Sequence, residues 1–363
     1  MLHHRRLARI ALALALGATL HVAGSAGTAA PTSPPRSVRP PSPSMAHAAE
    51  PPLAIKARLY LPTLQRHVAF DGAVTFAVIG DFGWCAMGGD EACAPETRVA
   101  EMVKGWDPAF IVTTGDNNYP RGKWDTWQRN TEPYRAYIPD RFEPAVGNHD
   151  YICSQCPDLA FRTNFQRDLT RQFAKPDERN PLLRFFMIDS NAADPDPAIP
   201  ARAKAAERSP LADQRLWLER GLAERTACWR LVVMHHPPYS SSLDPGSNRT
   251  MSSASGWNYR QWGADVVLAG HAHNYERILR PDGFAYIVDG AGGAPIEALP
   301  EFGVQGSVAR VSDANGAIRG YADAHELVLE FYTIDVADPT APPRLRDVHR
   351  VARDCNAPAR AKE

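Results

Sequence analysis

Five short apolar runs in this chain end on side chains that can bind metals or move protons. VTFAVIG is followed by Asp81 and AFIVTTG by Asp116. FEPAVG leads into Asn148, His149 and Asp150, WRLVVM into His235 and His236, and DVVLAG into His271, Ala272 and His273. Carboxylates, an amide oxygen and imidazoles, with no thiolate, form a hard-to-borderline donor set that suits iron, zinc or manganese. A single catalytic ion takes about three protein ligands. This set exceeds that and fits a pair of ions about 3.5–4 Å apart that share one carboxylate. Such a pair clamps a phosphoryl oxygen, offsets the charge of a phosphate dianion and generates hydroxide near neutral pH. The stretch TGDNNYP adds a question, because Tyr119 follows Asp116 by three residues and its phenol oxygen is a further candidate donor.

Taken singly, each of these signals is weak. An Asp at a strand end is usually a cap or turn residue, and among twelve histidines an H-x-H spacing arises easily by chance. Their joint occurrence in one structural context carries the weight. In open α/β sheets ligands bind beyond the carboxyl ends of strands, so five such ends would deliver these groups to one edge. Four of the five polar groups follow a glycine, which lets the backbone turn sharply and approach closely.

The elements that must position these residues are legible as strand-length runs at 74–80, 109–115, 142–147, 182–188, 229–234, 265–270, 284–290 and 326–334. Helical stretches lie between some of them. PETRVAEMVKGW opens at Pro95, WDTWQRNTEPYRAYI is cut by Pro133, and PLADQRLWLERGLAER sets Leu211, Leu216, Leu218 and Leu222 at helical spacing. Strand and helix alternate in the first half, and strands follow more closely in the second. This predicts an α/β fold of four layers, an αββα sandwich in which two mixed β-sheets pack face to face between helices. Residues 191–210 show no periodicity and read as a surface insertion.

Composition bounds the function classes. The chain has 363 residues, 44% hydrophobic and 22% charged, with a net charge of −1, so it is globular and carries no basic excess for nucleic acid. At the N-terminus, basic MLHHRRLAR, apolar IALALALGATLHVAG and small-residue AGSAGTAA predict a signal peptide over residues 1–30. The apolar run is short for a membrane span, so no stable membrane anchor is expected and the protein is read as exported, periplasmic or extracellular. Residues 31–55 read as a Pro-rich disordered linker, and 56–355 are expected to form one catalytic domain. Six cysteines agree with export. They allow fifteen connectivities, of which the simplest joins Cys85 to Cys93, Cys153 to Cys156, and Cys228 to Cys355. The CSQC spacing also occurs in redox and zinc motifs, but here it follows GNHDYI in a loop instead of opening a helix, which favours a structural disulfide.

Together GDFG, GDNNY, GNHD, VVMHHP and GHAHNYER, in that order between Val74 and Arg277, resemble the calcineurin-like metallophosphoesterases and, within them, the purple acid phosphatases. The resemblance implies the metallophosphoesterase sandwich and a binuclear centre. Asp81, Asp116, Tyr119 and His273 would hold Fe(III), and Asp116, Asn148, His235 and His271 a divalent Fe, Zn or Mn, with Asp116 as the bridge. His149 would donate a proton to the leaving group or bind the phosphate, Asp150 would orient it, and His236 would contact substrate. The implied activity is that of a secreted acid phosphatase, which hydrolyses phosphate monoesters by attack of a metal-bound hydroxide. Its substrate would be a phosphorylated small molecule or phosphoprotein, and a monomer is expected.

Two departures from the family pattern stand out. Most metallophosphoesterases have His two residues after the first Asp, where this chain has Gly83, and Tyr119 is where a replacement ligand is expected. The loop after the VVMH ligand, rich in substrate-contacting histidine in the purple enzymes, holds only His236 here. Residues 1–70 are too short and Pro-rich for the N-terminal domain of the large plant-type enzymes. Rival readings are a phosphodiesterase or nucleotidase on the same fold, a non-catalytic phosphate- or metal-binding module, and a thiol–disulfide exchanger using Cys153 and Cys156. The DGAGGAP segment is expected to turn near the metals, and Trp84, Tyr151 and Tyr239 either line the cleft or pack.

Overall fold

Strand alternation sorts the side chains of this chain onto two faces, and in the computed structural model that sorting builds the layers. The structure describes residues 72–151, 160–179, 181–194 and 210–357. The expected signal peptide, the linker and the Cys153–Cys156 pair lie outside the described residues.

The first sheet contains three parallel strands, β1 (Val74–Ile79), β2 (Phe110–Thr113) and β3 (Phe142–Pro144). The second contains β4 (Arg171–Lys175), β5 (Leu183–Met187), β6 (Trp229–Val233), β7 (Val266–Ala269), β8 (Tyr275–Leu279), β9 (Ala285–Asp289) and β10 (Ser307–Val311), in the order β10-β8-β9-β7-β6-β5-β4. Within it β5, β6, β7 and β9 are parallel and the other three antiparallel. The chain then returns to the first sheet through β11 (Gly316–Ala322), β12 (Glu326–Thr333) and β13 (Arg344–Ala352), which complete the order β13-β12-β11-β1-β2-β3. Both sheets are therefore mixed, as expected.

The two-residue period decides which layer each side chain joins. Phe76 and Val78 of β1 meet Phe185, Leu231 and Val233 in the core between the sheets. Ala77 and Ile79 face outward beneath Val99, Ala100 and Val103 of α1 (Asp90–Gly105). On the far side, Phe186 and Val232 are covered by Leu218 and Leu222 of α4 (Leu211–Ala223). The shorter helices are α2 (Trp124–Thr131), α3 (Ala160–Phe165) and α5 (Tyr259–Trp262). The result is the four-layer αββα order.

Two details differ from the sequence reading. Helix α1 begins at Asp90 and carries Pro95 inside it instead of opening on it. Asp90 and Glu91 supply the acids that favour a helix start, and the Cys85–Cys93 disulfide ties this first turn to the preceding loop. Strands β4, β8, β10 and β11 are additional, and β13 forms one edge of the first sheet. The Cys228–Cys355 bridge closes the chain end onto the start of β6.

One polar junction crosses the sandwich. Asp347 of β13 accepts both Arg277 Nε (2.7 Å) and Nη2 (2.8 Å), and the Tyr275 hydroxyl (2.7 Å), from β8 of the other sheet. The Tyr275 ring stacks on Phe331 of β12 at 3.9 Å. Burial alone would raise the Asp347 carboxyl, but Arg277 and Tyr275 outweigh it and hold it below the ordinary range. Its contribution is therefore complete above the unfolded value near pH 3.9 and is lost as pH falls through the folded value. Asp347→Ala should lower stability at neutral pH by about 1–3 kcal/mol in urea unfolding, with the deficit shrinking below about pH 4. A deficit that is absent, or that grows in acid, would contradict this role.

Candidate metal centre

The polar residues at the strand ends meet at one edge of the sandwich, and the backbone is bent to bring them there. Asp81 after β1, Asp116 after β2 and His271 after β7 have φ of 54°, 52° and 73°. Left-handed φ is uncommon outside glycine, although Asp and His tolerate it better than most, and such residues concentrate at functional sites. The preceding glycines serve close approach. A Cβ on Gly147 would lie 2.1 Å from Asp116 Oδ1, so no other residue fits between β3 and the bridging carboxylate candidate.

Asp81, Asp116 and His235 are buried, and their donor atoms all lie within 4.8 Å of one another. Tyr119 joins them. Its hydroxyl oxygen is 2.8 Å from Asp116 Oδ2, 3.2 Å from Asp81 Oδ1 and 2.9 Å from His273 Nε2. On the other side of Asp116, His235 Nε2 is 2.8 Å from Asn148 Oδ1 and 3.1 Å from His271 Nδ1. It is 3.5 Å from Asp116 Oδ2. The structure thus brings together two groups that share Asp116: Asp81, Tyr119 and His273 on one flank, Asn148, His235 and His271 on the other.

Backbone carbonyls orient two of the imidazoles. His235 Nδ1 meets Thr114 O (3.0 Å) and His273 Nδ1 meets Pro295 O (3.2 Å). A carbonyl only accepts, so Nδ1 carries a proton and Nε2 is the nitrogen turned toward the centre, the arrangement that orients metal-binding histidines. The charges call for a cation. Burial would raise the Asp116 carboxyl, but His235, His149 and His271 override it and hold it far below the ordinary range. Burial would likewise lower His235, yet Asp116 and then Asp81 push it up to about 10. Burial drives His271 well down, helped by His236 and His235. Among protein groups alone, Tyr119 is pushed well above its usual value by burial, Asp116 and Asp81, so it stays a phenol. Only a nearby cation of high charge would reverse that. The donor set therefore fits a metal pair.

Gly83 explains why a tyrosine occupies this position. A Cβ there would lie 2.1 Å from Asn117 O and 2.6 Å from Asn118 N, which leaves no room for a histidine. The same loop is pinned by Tyr119 N–H donating to Gly83 O (2.9 Å) and by Asn130 Nδ2 donating to Tyr119 O (2.7 Å).

Two residues stand differently from the sequence reading. Asp150 does not orient His149. Its carboxylate accepts Gly147 N (2.8 Å), Asn117 N (3.2 Å) and Asn117 Nδ2 (2.9 Å), so it holds the turns carrying Asp116 and Asn148. Burial and then Asp116 raise it to about 7 against those donors. His149 is held instead through Nδ1 to Pro120 O (2.7 Å) and its backbone N–H to Asp116 Oδ1 (2.9 Å), and its Nε2 has no hydrogen-bond partner among the described residues. His236 borders the cleft beside His271, but both its nitrogens are spent. Ser190 Oγ accepts the His236 backbone N–H (3.0 Å) and lies 2.8 Å from Nδ1, while Nε2 meets Asp194 Oδ2 (2.9 Å). A direct substrate contact by His236 is therefore replaced by a packing role against the His271 ring, 4.5 Å away.

Several contributors carried no sequence signal as catalytic types: Thr114 through its carbonyl, Asn117, Asn130 and Pro120. The DGAGGAP segment does turn beside the centre, with Gly292 N donating to Gly80 O (2.7 Å) and Ala294 N to Asp81 O (2.9 Å). Trp84 packs edge-on against Tyr119 at 4.7 Å. The Tyr151 hydroxyl donates to Asp189 Oδ2 inside the core (2.5 Å), and that of Tyr239 pairs with Ser253 Oγ (2.8 Å).

Comparison with known proteins identifies a family and a shared fold. Residues 74–275, more than half of the chain, match the family described as calcineurin-like phosphoesterase. Tartrate-resistant acid phosphatase type 5 of Homo sapiens is 27% identical over 268 residues, covering 66% of this chain and 78% of that protein. The Fe(3+)-Zn(2+) purple acid phosphatase 12 of Arabidopsis thaliana is 28% identical over 238 residues, covering 61% of this chain and 47% of that protein. The solved structure of a purple acid phosphatase from yellow lupin (Lupinus luteus) seeds shares the fold with a TM-score of 0.56 at 18% identity, covering 79% of this chain and 55% of that one.

Because Asp116 and Asp81 hold His235 protonated up to about pH 10, a divalent ion must displace that proton. Calorimetric titration of metal into chelator-treated protein at pH 7, in two buffers of different ionisation enthalpy, should show proton release, and affinity should fall with pH. Identical heats in both buffers would contradict the assignment.

Proposed function

The chain belongs to the calcineurin-like phosphoesterase family, as a hydrolase of phosphoric ester bonds related to the purple acid phosphatases, and on that premise we propose that it is an exported binuclear phosphomonoesterase. The observation that carries the proposal is the meeting of Tyr119, both carboxylates and the Nε2 atoms of His235 and His273 around Asp116. In this reading Asp81, Asp116, Tyr119 and His273 hold Fe(III), and Asp116, Asn148, His235 and His271 hold a divalent Fe, Zn or Mn. Bound there, two ions supply the charge that offsets a phosphate dianion and the acidification of water that hydrolysis needs.

The chain's own residues do the rest. The Asp116 bridge and the carbonyl-fixed imidazoles keep the donors in place without reorganisation. His149, fixed by the Pro120 carbonyl and the Asp116 carboxylate, presents an Nε2 that no described residue engages, and protonated it can donate to the departing alcohol. Trp84 packs edge-on against the buried Tyr119 ring and so covers one side of the centre. Export is supported by the Cys85–Cys93 and Cys228–Cys355 disulfides. No helix among the described residues is long and apolar enough to cross a membrane. A phosphorylated small molecule or phosphoprotein is the substrate class, and the protein is proposed to act as a monomer.

Purified protein should hydrolyse p-nitrophenyl phosphate much faster than its bis-ester; the reverse preference would favour a diesterase. His149→Ala should reduce kcat roughly a hundredfold or more for alkyl phosphates and far less for p-nitrophenyl phosphate, whose anion leaves unaided. An equal loss on both substrates would argue against the acid role. Iron-loaded protein should show a visible phenolate-to-iron band that disappears in Tyr119→Phe. A spectrum and metal content unchanged by that substitution would remove Tyr119 from the ligand set.

A further inference from the structure

Beside the centre lies a cleft of about 530 Å³ that runs from His271 and His236 to the segment Asp244–Thr250. Among the described residues that line it, Arg249 is the one arginine or lysine. The turn that carries Arg249 is held firmly. Asn248 N donates to Pro237 O (2.8 Å), Asn248 Nδ2 donates to Ala193 O (2.7 Å), and Asn248 Oδ1 accepts Thr250 N (3.1 Å). The Arg249 carbonyl itself accepts the hydroxyls of Ser252 (2.7 Å) and Ser255 (2.8 Å). The guanidinium at the end of this fixed backbone is exposed, and no carboxylate among the described residues pairs with it. Asp194, the buried carboxylate of the cleft, is occupied by His236. Asp244, exposed at the rim, is the opposing charge.

A guanidinium offers a planar fork that matches a carboxylate or phosphate through two parallel hydrogen bonds. A fixed turn carrying a guanidinium with no carboxylate partner among the described residues, in a cleft lined by His271, has the chemistry to receive an anion. We propose that Arg249 makes this protein selective for phosphomonoesters whose leaving group bears a second anionic group, such as a phosphorylated hydroxy acid. The inference rests on the phosphoesterase reading of the neighbouring centre. Bound through its phosphate there, the substrate extends its leaving group along the cleft, and Arg249 meets the carboxylate. Asp244 at the rim sets a limit, because it disfavours leaving groups with anionic charge on that side.

Two non-hydrolysable phosphonates that differ in one charge test this. In calorimetric titrations of the metal-loaded protein, 2-carboxyethylphosphonate should bind roughly tenfold tighter than propylphosphonate, as one charge-assisted pair at a partly exposed site allows. In Arg249→Ala the ratio should fall to near one, and Arg249→Lys should recover part of it. Equal binding of the two compounds to the native protein, no binding of either, or a preference that persists in Arg249→Ala would each overturn the proposal. The phosphonate ratio is read without turnover. An intact preference in a protein that fails to hydrolyse p-nitrophenyl phosphate would therefore support the Arg249 subsite while removing the phosphatase reading.

Discussion

The structure turns on holding two buried carboxylates, Asp81 and Asp116, close enough to share a site although their charges repel. Buried carboxylates that face each other either take up a proton or find a cation. Here the surrounding groups keep Asp116 ionised, and the imidazoles and phenol around it are arranged to compensate. The left-handed backbone at Asp81, Asp116 and His271 is part of the same constraint. Such conformations persist only where the surroundings over-determine them. Here Asp81 N donates to Gly115 O (3.0 Å), Asp150 receives the Gly147 and Asn117 amides, and Asp81 Oδ2 accepts the His271 amide (2.9 Å).

The donors also come from different sheets. Asp81, Asp116 and Asn148 follow strands of the first sheet, and His235 and His271 follow strands of the second. The centre therefore depends on the register of one sheet against the other. That register is set by the interdigitated core of Phe76, Val78, Phe185, Leu231 and Val233, and at one edge by Asp347 reaching across to Arg277 and Tyr275. Packing far from the chemistry is thus what keeps Asp116 and His235 in contact.

How much of this the sequence disclosed follows from the kind of signal each part leaves. Buried parallel strands such as β1, β5, β6 and β7 read as continuous apolar runs because both faces are covered. The strands that went unread are antiparallel, and β4 and β10 sit at sheet edges, where polar residues break the run. Strand β11 is central but contains Arg319 and Gly320. A Cβ on Gly320 would meet the Phe76 ring at 2.3 Å, so packing there selects against the residues that mark a strand. At the site, the side chains that converge were visible because chemistry restricts their types. Asp150 and His236 were assigned by their neighbours in sequence, whereas their partners, Asn117 and Gly147 for one and Ser190 and Asp194 for the other, are set by tertiary contact. Thr114 and Pro120 act through main-chain oxygens, which every residue carries, so no residue type announces them.

The crowding at Gly83 bears on how such sites diverge. Since the main chain of Asn117 and Asn118 fills the space that a side chain at 83 would need, exchanging a tyrosine-bearing centre for a histidine-bearing one is not a single step. The imidazole could enter only after the loop carrying Tyr119 had moved away. In this chain the glycine and the loop across from it are therefore one coupled choice, and neither can change without the other.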